Sequence, residues 1–137
     1  PAPLALALGL IGLGGCSPPP QQPAQSSFYR SLANPSAEVD AQTAAAMISA
    51  YRRNKGLAPL TLDADLQAMA KAEAAAMARA DKPASAEAVK GRLAAAGYAA
   101  PGANLSAGYH TLPEAFSGWR ESAQHDRVML QGGAKRM

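Results

Sequence analysis

Cysteine is nearly absent: the chain has one, Cys16. A single cysteine forms no disulfide within its own chain, so packing and hydrogen bonds must hold the fold. Aromatic residues make up 5% of the sequence, with one Trp and two Phe. Two histidines, His110 and His125, are the whole supply of imidazole. No charged residue precedes Arg30. No uncharged apolar run approaches the ~20 residues that a membrane-spanning helix needs. The net charge of +3 is small, and Lys and Arg are scattered. A nucleic-acid surface needs a basic stripe with aromatics to stack on bases, so no nucleic-acid partner is expected.

The first stretch, PAPLALALGLIGLGGCSPPP, has an apolar run over residues 4–13, the length of a secretory-signal core. It ends in Leu13-Gly14-Gly15-Cys16. That order, apolar, small, small, Cys, resembles the lipobox of bacterial lipoproteins. The resemblance implies cleavage before Cys16, lipidation of Cys16, and a membrane anchor there. The alternative is a plain secretory signal with an incidental Cys. The chain starts at Pro1 without Met or a basic leader, so its true N-terminus is expected upstream. Ser17 follows the Cys where some lipoproteins carry an Asp that retains them at the inner membrane. In a Gram-negative host this leans toward the outer membrane.

Three segments are expected. Residues 1–15 are a lipoprotein-type signal peptide. Residues 16–35 hold the lipidated Cys16 and a tether rich in Pro, Gln and Ser, which cannot bury a core. Phe28 and Tyr29, near the tether's end, are placed to dock on the domain. Residues 36–137 form one small domain.

Periodicity predicts five helices in that domain. The first covers residues 37–54, with Ala44, Met47, Ile48 and Tyr51 on one face and Gly56 as terminator. Arg52, Arg53 and Lys55 then sit where a helix C-terminus favours positive charge. Asp63 caps a second helix reaching Ala80, with Leu66, Met69, Ala70 and Met77 inward. A third covers residues 85–96, with Val89 and Leu93 on one face and Gly97 as stop. Residues 104–109 alternate and predict a short strand. Thr111-Leu112-Pro113-Glu114 reads as a capping box with Pro in the first turn of a fourth helix, ending near Glu121. Phe116 and Trp119 face inward from it. Ser122 caps a short fifth helix with His125 at its third residue, Val128 and Met129 inward, and Gly132-Gly133 at its end. The many Ala residues bury little area each, at about 25 cal/mol per Å², so a marginally stable domain is expected.

These parts, in order, resemble the CAP superfamily of cysteine-rich secretory, antigen and pathogenesis-related proteins. The resemblance runs from about Ala41 to Met137. It rests on Tyr51-Arg52-Arg53, Gly56-Leu57, Pro59-Leu60, the long second helix, Asn104, Ala107-Gly108-Tyr109, Trp119, and Ser122 with His125. It implies the α+β class with an α-β-α sandwich. GGAKRM resembles the lead-in to the family's later strands, so the chain as given is expected to be mainly helical and to lack the C-terminal strands. A fragment at both ends is expected.

The family often holds a divalent metal such as zinc between two His and two acidic residues. Carried over by position, His125 matches the second His. Ala103 and Ser122 stand at the acidic positions, and no His occurs around residues 83–85. Three of four ligands are absent, so no metal and no cofactor are expected, with zinc as the alternative. His125 and Ser122 are the candidate catalytic pair, as base and nucleophile at i, i+3 spacing. The competing reading makes Ser122 a helix cap and His125 a first-turn residue. Asp126 adjoins His125 but points elsewhere on a helix, and Glu114 and Glu121 have no assigned place. Asn104, Tyr109 and Trp119 are the candidate ligand-binding residues. His110 reads as a loop surface residue.

The reading favours a lipid-anchored protein of a bacterial cell envelope, facing periplasm or exterior. It is expected to bind a lipid or cell-wall ligand without catalysis, the lipid resting on the family resemblance. The alternatives are a hydrolase or metal-dependent enzyme using His125, and a truncated product without function of its own.

Overall fold

The computed structural model describes residues 26–33 and 37–137. The expected signal peptide, Cys16 and most of the expected tether lie outside the described residues. Within them, a 3-10 turn at Ser27–Tyr29 precedes five α-helices. These are α1 (Ala41–Asn54), α2 (Ala64–Ala80), α3 (Ala86–Ala95), α4 (Leu112–Glu121) and α5 (Ala123–Met129).

Helix starts follow their caps. α1 begins four residues later than the periodicity predicts, because Asp40 is the N-cap and its carboxylate accepts from Thr43 N at 3.1 Å. Asp63 caps α2 by accepting from Asp65 N and Leu66 N. Ser85 caps α3 through Ala88 N at 3.1 Å. Thr111 and Glu114 form the expected capping box on α4, with Pro113 in its first turn. Glu114 Oε2 also accepts from His110 N at 2.8 Å, which ties down the loop before the helix. Ser122 sits at the N-cap of α5, but its hydroxyl makes no capping bond. α5 ends at Met129, before the expected Gly132-Gly133 stop.

The core lies where α1, α4 and α5 meet. Ile48, Phe116 and Met129 are buried together, with Met47, Tyr51, Leu60, Trp119 and Met137 packed around them. The rings of Tyr51 and Phe116 meet edge to face, 5.7 Å between centroids. The 3-10 turn packs against α4. Leu32 N donates to His110 O at 2.7 Å, so the segment before the domain docks on it. Phe28 is half-buried in that docking while Tyr29 stays exposed.

Arg52 lies in the last turn of α1, as expected, but differs from its basic neighbours. It is completely buried, while Arg53 and Lys55 are exposed. Its Nε donates to Ala58 O at 2.8 Å. Its Nη1 donates to Met129 O at 2.7 Å and Gln131 O at 3.0 Å, and its Nη2 to Ala134 O at 3.2 Å. The Met129 and Gln131 carbonyls lie at the C-terminal end of α5, where orphan acceptors and the helix dipole favour a cation.

Two expectations fail. Residues 104–109 form no strand: Leu105 O accepts from Trp119 Nε1 at 3.3 Å, and Gly108 turns the chain at φ +79°. A parallel bridge between Thr61 and Arg136 is the sole β pairing among the described residues. Thr61 N donates to Lys135 O, Met137 N to Thr61 O, and Asp63 N to Met137 O around it. On α2, the expected inward face is not buried: Leu66, Met69 and Met77 are half-exposed and Ala70 is exposed. No described element packs broadly over that face. No helix of the described residues is long and apolar enough to cross a membrane.

Candidate functional site

The 101–104 loop reaches α5 at Gly102. A Cβ there would lie 2.9 Å from Val128 Cγ1 and 3.1 Å from Gln131 Oε1, so the backbone approach needs glycine. Gln131 Nε2 donates to Ala100 O at 2.8 Å and ties the same loop. Two residues on from Gly102, Asn104 Nδ2 donates to His125 O at 3.0 Å. A carbonyl only accepts, so this bond fixes the amide's orientation. Asn104 Oδ1 is then left buried and accepts no hydrogen bond from the described residues.

These ties shape an open depression of about 330 Å³ between the start of α3, the loop and α5. Ala103, Asn104, His125, Glu87, Lys90 and Arg127 contribute to its lining. Lys90 Nζ donates to Glu87 Oε1 at 2.7 Å, which neutralises that carboxylate. The His125 imidazole and the Arg127 guanidinium bond no described residue.

The neighbours of His125 in sequence are engaged elsewhere or idle. Asp126 Oδ1 accepts from Tyr51 Oη at 2.8 Å. That bond, with partial burial, holds the Tyr51 hydroxyl above the ordinary tyrosine range. The Arg120 guanidinium, 5.2 Å from the Tyr51 ring centroid, opposes the shift. No hydrogen bond joins Ser122 to His125, and Ser122 does not line the depression. Glu114 and Glu121 line a different opening, of about 450 Å³, with Tyr109, Pro113, Ser117 and Gly118. Tyr109 lies so close over Gly118 that a Cβ there would collide with Tyr109 Oη. His110 is exposed in the loop before α4.

The three candidate ligand-binding residues are therefore spread out. Asn104 lines the His125 depression and Tyr109 the other opening. Trp119 packs against the core and bonds the loop at Leu105. Sequence reasoning missed Glu87, Lys90 and Arg127. Their signal was slight: Glu87 lies two residues beyond the segment where the family resemblance places a His, and Arg127 two beyond His125.

The donors around His125 do not fit zinc. Ala103 supplies no ligand atom, Glu87 is paired with a lysine, and two cations share the lining. Among the described residues no three His, Cys, Asp or Glu side chains cluster as a metal site.

The mainly helical make-up is what the CAP resemblance implies for this stretch of chain, with Asn104 in a loop rather than at a strand start. The family described as CAP, cysteine-rich secretory protein family, matches residues 45–137. That is well over half of the chain, and the chain belongs to this family. Neither the curated proteins nor the solved structures contain a match.

Proposed function

We propose that this CAP-domain protein is anchored in a bacterial envelope through lipidated Cys16 and binds a lipid or cell-wall ligand without transforming it. The anchor reading is supported by Leu13-Gly14-Gly15-Cys16 after an apolar run and before a Pro-rich tether. The binding reading is carried by one observation. Asn104 Oδ1 is buried and accepts nothing from the described residues, the His125 and Arg127 side chains beside it bond none of them, and no described partner would make His125 a working base. A nucleophile needs a base, and the base needs an orienting group. The nearest carboxylate in sequence, Asp126, is held by Tyr51.

Two measurements test this reading. Full-length protein expressed with its leader is fractionated, beside Cys16→Ser. Retention in membranes that is lost in Cys16→Ser supports the anchor, and release of both into the soluble fraction sinks it. The purified protein is then offered ester, peptide and glycoside reporters. Turnover abolished by His125→Ala would replace the binding module with a hydrolase.

A further inference from the structure

We propose that the depression beside His125 takes a carboxylate with an amide N–H next to it: the C-terminus of a short peptide or an N-acyl amino acid. The proposal rests on the binding-module reading and names its ligand class.

Three features of the lining select this chemistry. The first is charge. Lys90 and Arg127 are positive, Glu87 is negative, and Glu87 is already paired with Lys90. One positive charge remains in excess, on Arg127, whose guanidinium bonds no described residue. A guanidinium is a planar fork that matches a carboxylate's two oxygens. One surplus charge balances a single carboxylate better than a doubly charged phosphate.

The second is the orphan acceptor. Asn104 Oδ1 is buried and accepts nothing from the described residues, and Asn104 cannot turn over without losing its bond to His125 O. A buried unpaired acceptor costs roughly 1–3 kcal/mol, so a ligand that brings a donor is favoured there. A bare anion brings only acceptors. An amide N–H adjoining the carboxylate supplies the donor, and that pairing is the end of a peptide.

The third is size. The volume, about 330 Å³, is at the small end for ligand sites, which run from roughly 300 to 1,000 Å³, and suits a short segment.

The test is calorimetric titration of the intact, detergent-solubilised protein with four probes. They are N-acetyl-alanyl-alanine, its C-terminal carboxamide, a depsipeptide with an ester oxygen in place of the last amide N–H, and inorganic phosphate. The free acid is expected to bind saturably. The carboxamide and the depsipeptide are each expected to bind about tenfold more weakly, as the loss of one buried polar contact implies. Arg127→Gln is expected to weaken the acid about tenfold and leave the carboxamide unchanged. Arg127 is exposed on α5, so this variant keeps the fold, which circular dichroism checks. Equal affinity for acid and carboxamide, or for acid and depsipeptide, overturns the proposal. So does phosphate binding more tightly than the acid, or no saturable binding of the acid by folded protein. None of these results touches membrane retention through Cys16 or the reporter assays, so the broader reading stands or falls separately.

Discussion

Arg52 Nη1 donates to the carbonyl oxygen of Met129 at 2.7 Å, joining the last turn of α1 to the end of α5 across 77 residues of sequence. The same guanidinium reaches Ala58, Gln131 and Ala134, so one buried side chain gathers the α1–α2 connection, α5 and the segment after it. No carboxylate among the described residues pairs with it. Four carbonyl dipoles replace the water that burial removes, which only a group with several fixed donors can arrange.

Arg52→Lys is expected to destabilise the protein by roughly 2–4 kcal/mol, since an ammonium cannot reach all four acceptors and leaves some buried without a donor. Urea unfolding followed by Trp119 fluorescence measures it. A midpoint within error of the parent would show that water satisfies those carbonyls equally well.

Gly102→Ala should push the loop off α5, because its Cβ meets the stiff Val128 side chain at 2.9 Å. The expected loss is about 1–3 kcal/mol, typical of overpacking. Asn104 and His125 O should separate, read as faster hydrogen exchange at the Asn104 side-chain amide. Val128→Ala in the same chain should restore part of the stability. Failure of that rescue would mean that the crowding lies elsewhere.

Tyr51 has a raised hydroxyl pKa, first because it donates to Asp126. A raised folded-state pKa means that the protonated form is favoured by folding. Its contribution is complete below the ordinary tyrosine value and disappears as pH climbs through the folded one. Stability should therefore fall more steeply in strong alkali in the parent than in Tyr51→Phe. Phenolate absorbance should show a late-ionising tyrosine that Asp126→Asn brings earlier. Identical titration curves in parent and Asp126→Asn would exclude the bond as the cause.

Asp63 lies at the opposite end of the scale. The Leu66 backbone N–H, then the Arg136 side chain at 2.7 Å, hold its carboxyl below the usual carboxylate range against an opposing effect of burial. A lowered folded-state pKa contributes stability above the ordinary value, and this is lost as pH falls through the folded value. Acid unfolding followed by helical circular dichroism should therefore begin earlier than in Asp63→Asn when each is scaled to its own neutral stability. The variant should be the weaker of the two at neutral pH. Parallel acid profiles would remove Asp63 from the acid transition.

Much of the helical layout was readable along the chain. The capping box at Thr111 and Glu114, the Asp63 cap, and the Ile48–Tyr51 face depend on neighbours three and four residues away, distances a helix sets by itself. The start of α1 slipped because Asp40 caps it, four residues into the stretch that the periodicity assigned to the helix. The strand expected over residues 104–109 failed for a different reason. Alternation describes a residue's readiness to pair, and here the backbone at Leu105 bonds a Trp side chain instead.

Membership in the CAP family was likewise legible from linked motifs, and its match over residues 45–137 bears that out. The surroundings of His125 were not. Glu87 and Lys90 come from α3 and Arg127 from α5, and nothing local marks them as neighbours of Asn104.

The sequence by itself determined most of the helices, several of their caps, the family, and the scarcity of cysteine and aromatic side chains, because each is a matter of composition or short-range spacing. Tertiary structure decided what those residues do. It turned Arg52 from one member of a basic run into the buried tie of the fold, gave Asp126 to Tyr51, and left Asn104 Oδ1 without a donor among the described residues. Each of these depends on which distant groups meet and on whether water is shut out, and chain position fixes neither.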